Sequence, residues 1–196
     1  FKYHCKMPIF VARQWVRHRT ANINEYSLRY SEARDEFYIP DPEHIQFQSS
    51  LNKQGRMGEV SKNLKIKVQE YFQEISEKSF KMYSELNNAG VARELARAIL
   101  PVNLYTEWYW KNDLHNLLHF IGLRSDSHAQ YEIRVFSDAM AKSVKEVAPF
   151  AWEAYQDYAV GGLRFSKIEQ NILEKKLPNR VVEDILEDIS YQVTAT

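Results

Sequence analysis

The sequence predicts an α+β fold, helix-dominated and built as a single domain around a small antiparallel sheet. Three observations carry that expectation. Apolar residues recur at helical spacing along most of the chain, as at Leu64, Val68, Phe72, Ile75, Met82 and Leu86. Strand-like alternation is confined to short stretches, notably Phe1, Tyr3 and Cys5 against Lys2, His4 and Lys6, and Leu104, Thr106, Trp108 and Trp110 against their polar or aromatic neighbours. A chain of 196 residues with 44% hydrophobic content suits one core, and it contains no repeat, low-complexity tract or internal linker.

Taken in order, the opening strand is followed by Pro8, placed as a first helical residue, and by a short helix to about His18. Asn22, Asn24 and Ser27 mark an irregular stretch whose side chains bond locally to backbone, and Glu36 to Ile39 reads as a strand. From Pro40 to Gly58 the Pro, Asp, Ser, Asn and Gly content predicts a surface excursion with no assigned role. A long amphipathic helix then runs to Gly90, which suits the C′ position, and a second helix stops at Pro101. After the strand ending near Trp110, Asp113 is placed to cap a helix from Leu114 to Leu123. Ser125, Asp126 and Ser127 are candidate caps for the next helix, which carries Ala129, Ile133, Phe136, Met140, Val144 and Val147 and ends at Pro149. Two more helices are expected, at Phe150 to Val160 and from Ser166 onward, with residues 163–196 read as a helical extension.

Composition excludes several classes. Lys plus Arg equals Asp plus Glu at 26 each, so no global field draws the chain to nucleic acid or an anionic membrane. Apolar stretches such as Ala148 to Trp152 fall far short of the roughly 20 residues a bilayer span requires. The lone cysteine, Cys5, rules out an internal disulfide framework and suits a cytoplasmic setting; in an alternating strand it reads as a small buried apolar residue.

The densest chemistry lies at the end of the first helix and just beyond it, in Arg13, Arg17, His18, Arg19, Asn22, Asn24, Glu25, Ser27 and Arg29. Cations in a last helical turn complement the helix dipole, which accounts for Arg17 and Arg19 alone. The alternating polar groups that follow suit a ligand with phosphate, hydroxyl and amide groups, because guanidinium forks grip phosphate and a lone Glu accepts from a sugar hydroxyl. Residue order is more specific than residue type here. Arg17-His18-Arg19, seven intervening residues and Ser27 form an RHR-x7-S pattern, with Asn24, Glu25, Arg29 and Tyr30 extending the match. In these residues, in Ile99 to Thr106 and in Leu123 to Gln130, the chain resembles the flavin-dependent thymidylate synthases, over Phe1 to about Gly162.

The resemblance implies a methyltransferase that converts dUMP to dTMP, taking its carbon from methylenetetrahydrofolate and its hydride from NADPH by way of bound FAD. It implies activation of uracil by charge and not by a cysteine adduct, with Arg124 as the catalytic residue. The implied dUMP contacts are Gln14, Trp15, Val16, Arg17, Glu25, Tyr26, Ser27, Leu28, Arg29, Arg97 and Arg124. The implied FAD contacts are Arg17, His18, Arg19, Glu25, Asp113, Leu114, His115 and His119. The family further implies a homotetramer with sites shared between subunits, no metal, no nucleic-acid or membrane partner, and an N-terminal region that these residues do not supply. Two other readings of the residues stay open at this level. His115 and His119 have the four-residue spacing of a metal hydrolase, although Asn116 stands where its general base belongs. The basic and aromatic residues Arg17, Arg19, Arg29, Trp15, Tyr26 and Tyr30 also suit a single-stranded nucleic-acid module.

Overall fold

The computed structural model describes residues 1–50 and 55–176. They belong to two compact units, Phe1–Ala148 and a second beginning at Pro149. In the first unit, strand β1 (Lys2–Pro8) runs straight into helix α1 (Ile9–Trp15), and strand β2 (Asn22–Glu25) follows. A two-residue hairpin of β3 (Phe47–Gln48) and β4 (Arg56–Met57) precedes the long helix α2 (Lys62–Asn88) and the short helix α3 (Arg93–Ala96). Strand β5 (Tyr105–Lys111) then enters between β1 and β2, antiparallel to both, and helices α4 (Leu114–Arg124) and α5 (Tyr131–Val147) complete the unit. The class is therefore the expected one, mostly helical with a small antiparallel sheet.

The alternation read in β5 sets the layers. Thr106, Trp108 and Trp110 are buried on one face while Glu107 and Tyr109 point away. Register places Cys5 opposite Trp108 and Met7 opposite Thr106, so the buried residues of β1 share that face. Onto it packs Trp15, with none of its surface exposed. Its indole meets Trp108 and Trp110 edge-on at centroid distances of 5.5 and 5.4 Å, stacks on Phe120 of α4 at 4.9 Å and tilts against Phe136 of α5 at 5.5 Å. Aromatic pairs in this geometry add about 0.5–1.5 kcal/mol each beyond their burial. A second cluster of Ala33, Tyr83, Ala96 and Leu104 gathers Leu28, Phe80 and Leu86 around it, and joins α2 to the loop after β2 through a bond from Ala33 N to Tyr83 Oη (2.9 Å).

Several elements depart from the sequence reading. Pro8 belongs to β1 and caps α1 from an extended conformation (φ −62°, ψ 147°), because its pairing with Tyr105 continues the ladder to the helix boundary. Asn22–Glu25, expected to be irregular, is a strand. Only Ile23 among the four is apolar, so the order comes from backbone pairing with Lys111 to Trp108 and not from a hydrophobic face. Glu36 to Ile39, expected to be a strand, makes one bridge, Phe37 to Leu104, before Pro40 removes the next donor. Ser125, Asp126 and Ser127 do not cap α5. Asp126 instead accepts from His128 N at 2.7 Å in a local turn, and the helix starts after Gln130. Asp113 does cap α4, accepting from Asn116 N at 2.9 Å. Gly90 follows the end of α2 with φ 79°, a backbone state that a side chain would strain.

The second unit contains α6 (Pro149–Tyr155), which widens into a π-helical turn at Gln156–Val160, and α7 (Lys167–Lys176). A Cβ on Gly162 would lie 2.5 Å from Tyr158 O, so the exit from that turn requires glycine. Ser166 and Glu169 form a reciprocal cap on α7: Glu169 Oε2 accepts from Ser166 N at 2.7 Å and Ser166 Oγ accepts from Glu169 N at 3.3 Å. The helix read from Ser166 onward thus begins there, and the rest of the expected extension, residues 177–196, lies outside the described residues.

Trp15 carries the most consequential packing, and its truncation tests the layer model. Trp15→Ala should lower unfolding free energy by about 3–5 kcal/mol, the range for emptying a large aromatic site. Urea titration followed by circular dichroism checks this. A loss under about 1 kcal/mol would mean that the sheet and helices do not depend on this contact.

Candidate active site

The C-terminal end of α4, the turn from Ser125 to Gln130 and the β3–β4 hairpin enclose an open cavity of about 1040 Å³. Gln14 from α1 and Arg124 from α4 both line it. The Gln14 side-chain oxygen is buried and has no hydrogen-bond partner among the described residues. Arg124 donates through Nε to His18 Nε2 at 2.9 Å, and among the described residues its terminal amino groups make no other bond. These residues stand 106 positions apart in the chain, so the fold brings the RHR block and the Leu123 to Gln130 block into contact.

An arginine is only a donor, so His18 Nε2 must offer a lone pair and the ring must be neutral. Burial, with help from the charges of Arg124 and His119, pushes its pKa down to about 4. The ring stands edge-on to Phe120 at 4.9 Å and lies 6.4 Å from His119. Arg17 and Arg19 are exposed and make no ion pair or hydrogen bond among the described residues, leaving two guanidinium forks available beside the cavity block. Val16 is exposed in the same turn, whereas Trp15 is sealed in the core, so its side chain reaches no ligand. At the start of α4, Asn116 holds the Asp113 carboxyl below the usual range through its backbone and side-chain amides, Leu114 is half-buried and His115 is exposed. Thr20 Oγ1 donates to Asn116 Oδ1 at 2.8 Å, tying the arginine loop to this helix start.

The remaining expected contacts lie apart from the cavity lining. Glu25 accepts from Thr106 Oγ1 at 2.7 Å; Tyr26 donates to Glu32 O; Leu28 packs on the Tyr83 cluster. Ser27 Oγ accepts from Arg29 N at 3.4 Å, and among the described residues no base lies in bonding contact with it. Arg29 Nη2 pairs with Glu94 at 3.1 Å, and Arg97 bonds to Glu94 O at 3.4 Å. Because the Arg29–Glu94 pair is more than half exposed on both sides, it is worth about 0–1 kcal/mol, and an anion can take the guanidinium from it. Expected dUMP residues therefore occupy two surfaces of one chain, Gln14 with Arg124 and the group of Glu25, Ser27, Arg29 and Arg97.

Residues with no role in the sequence reading also line the cavity, among them His44, Arg56, Tyr131 and Arg134. The His44 and Tyr131 rings stack at 3.5 Å. Arg56 Nη2 contacts both oxygens of Glu132 at 2.7 Å, and Tyr38 donates to the same carboxylate at 2.8 Å. Burial raises the Glu132 pKa, but the Arg56 and Tyr38 bonds outweigh it and leave the carboxyl below its usual value. The clue available in the sequence was the polar run that contains Gln46, Gln48 and Arg56, which resembles an ordinary polar loop. Among the described residues the grouping of three potential metal donors is Asp41, Glu43 and His44, which does not include His115 or His119. No helix among them is long and apolar enough to cross a membrane.

These features gather cationic and hydrogen-bonding side chains around one cavity on a helix-rich α+β scaffold. Residues 1–150 match the family model described as thymidylate synthase complementing protein, and the chain belongs to that family. Curated relatives agree: flavin-dependent thymidylate synthases of Ruegeria pomeroyi and Rickettsia conorii are 48% and 45% identical, aligned over 92% and 96% of this chain. The chain spans 61% and 69% of those relatives' lengths. Among solved structures, PolB, a UMP/dUMP methylase from Streptomyces cacaoi bound with 5-Br UMP, superposes with a TM-score of 0.75 at 31% identity, covering 80% of this chain and 72% of that one. Neither the metal-hydrolase nor the nucleic-acid reading finds support in these relatives.

The state of His18 has a consequence for stability. An unfolded histidine takes up a proton near pH 6.5, whereas the folded His18 does so only near 4, so between those values the unfolded chain binds more protons. His18 therefore lowers stability progressively as pH falls from about 6.5 to about 4. His18→Gln removes this proton uptake, and thermal melts at pH 7 and pH 5 should show a smaller acid-induced loss than wild type. An equal loss in both proteins would show that His18 is protonated in the fold.

Proposed function

We propose that this chain is the catalytic part of a flavin-dependent thymidylate synthase, which methylates dUMP to dTMP with methylenetetrahydrofolate as carbon donor and NADPH as reductant. One observation carries the reading: family membership coincides with a cavity of about 1040 Å³ lined by Arg124, whose guanidinium is bonded to His18 of the RHR block. FAD would be held by Arg17, His18, Arg19 and Glu25 with the α4 start at Asp113, Leu114 and His115 and, one turn on, His119. Unpaired arginines and a helix N-terminus fit an anionic cofactor. When bound, the flavin supplies the hydride that completes the methyl group.

The chain's own residues activate and hold the pyrimidine. Arg124 presents a planar charge that stabilises the negative charge growing on the uracil imide as C5 attacks the one-carbon unit. Gln14 accepts from the substrate, and Glu25, Ser27, Arg29 and Arg97 hold its sugar and phosphate. No covalent nucleophile is required. Burial pushes the Cys5 thiol up to about 12, far from a thiolate at neutral pH, and Ser27 has no base beside it. The two dUMP surfaces are joined if one copy supplies Gln14 and Arg124 while another supplies Arg29 and Arg97, which supports a homotetramer with shared sites. A free, buried cysteine is consistent with a cytoplasmic enzyme.

Purified full-length protein should show a flavin absorption band, elute as a tetramer and form dTMP only when dUMP, the folate and NADPH are all present. Arg124→Ala should lower turnover roughly 10²-fold or more while NADPH still bleaches the flavin, and Arg124→Lys should fall between the two. Normal turnover of Arg124→Ala at saturating dUMP would reduce Arg124 to a binding group. Co-expressing Arg124→Ala with Arg29→Ala should restore part of the activity that each lacks, because mixed tetramers rebuild intact sites. Absence of restoration would assign both residues to sites within one chain.

A further inference from the structure

We propose that His18 is a positioning residue for Arg124: by accepting from Arg124 Nε it fixes the guanidinium plane so that both terminal amino groups face the cavity. The inference rests on the activity proposed above for its kinetic consequence, but the geometry stands on its own. Arg124 ends α4, where a long side chain otherwise samples many rotamers, and Nε is the one nitrogen that must be tied if the two amino groups are to stay free for a ligand. The 2.9 Å contact to His18 Nε2 ties that nitrogen, and no other hydrogen bond of the guanidinium competes with it among the described residues. His18 is itself held. Its ring lies edge-on against Phe120 at 4.9 Å, and Phe120 is stacked on Trp15 and fully buried. Backbone also fixes it, because His18 N donates to Trp15 O at 2.9 Å just past the end of α1.

Rigidity therefore passes from the aromatic core through Phe120 and His18 to Arg124 and on to the substrate. A contact with flavin, implied for His18 by its place in the motif, would use the other ring nitrogen or the ring face, since Nε2 is engaged. The two roles predict different responses to substitution. Positioning needs an acceptor at the Nε2 place, which a glutamine side chain reaches and an asparagine does not.

The test uses full-length protein with His18→Asn, His18→Gln, Arg124→Ala and the double variant His18→Asn/Arg124→Ala. His18→Asn should reduce turnover at saturating dUMP by roughly 10- to 10²-fold, the range for a misplaced catalytic group, and His18→Gln should recover most of it. In the Arg124→Ala background, assayed with saturating FAD, His18→Asn should lower turnover by a clearly smaller factor than it does in wild type, because the residue it positions is already gone and only its flavin contact is left to lose. A loss of the same size in both backgrounds, or equal losses for Gln and Asn, would overturn the proposal and leave His18 as a flavin or packing contact. Arginine Nε–H resonances, read in ¹⁵N-labelled protein, give a measure independent of turnover. One protected signal should vanish in Arg124→Ala and His18→Asn and persist in His18→Gln. If wild type retains that signal yet forms no dTMP, the assigned reaction fails while the contact stands; if the signal is indifferent to His18, the contact itself is refuted.

Discussion

The indole of Trp15 contacts the central strand of the sheet and two helices at once, and the placement of the site follows from that contact. Trp108 and Trp110 receive its edge, Phe120 its face and Phe136 its flank. Since all of these lie in β5, α4 and α5, the orientation of α1 against each is set together. The RHR block begins two residues later, too soon for the chain to forget that orientation, and His18 is delivered to the end of α4 with little freedom.

Charge is distributed with the same economy. The chain carries no net charge, yet the cavity is lined by Arg124 and Arg134 without a carboxylate partner among the described residues, and Arg17 and Arg19 are likewise unpaired, while Arg56 is neutralised by the buried Glu132. Cations that hold structure are thereby separated from cations left for a ligand. Arg29 lies between these cases, parked on Glu94 in an exposed pair that an anion can replace at small cost.

What was legible in the sequence and what was not divides on physical grounds. Helices α4 and α5 show an apolar stripe because each buries one side, and β5 alternates because one face packs on Trp15; the stripe read in α2 instead leaves Leu64, Ile75 and Met82 exposed, and the helix buries Ser76, Ser79 and Tyr83. Asn22–Glu25 gave no such signal, since a strand that pairs by backbone alone needs no apolar face. Motif matching reached His18 and Arg124 separately, but no local rule links positions 106 apart, so their contact had to come from the fold. The hairpin wall was missed for a different reason: Gln46, Gln48 and Arg56 face a wet cavity, and their composition is that of a solvent-exposed loop.

The central strand of the sheet follows both of its neighbours in the chain, some eighty residues after the second of them. Strands β1 and β2 touch each other only through β5, and the ladder closes where Lys2 and Asn22 both meet Lys111. On a ribosome, therefore, more than a hundred residues emerge before either edge strand has a partner, and the hydrophobic side of α1 waits with them. Helix α2 draws on local contacts and is synthesised before β5, so it offers an early surface, whereas the sheet, and with it the His18–Arg124 contact, must wait for β5 and α4. A cell making this protein must keep Trp15 from strangers until β5 arrives.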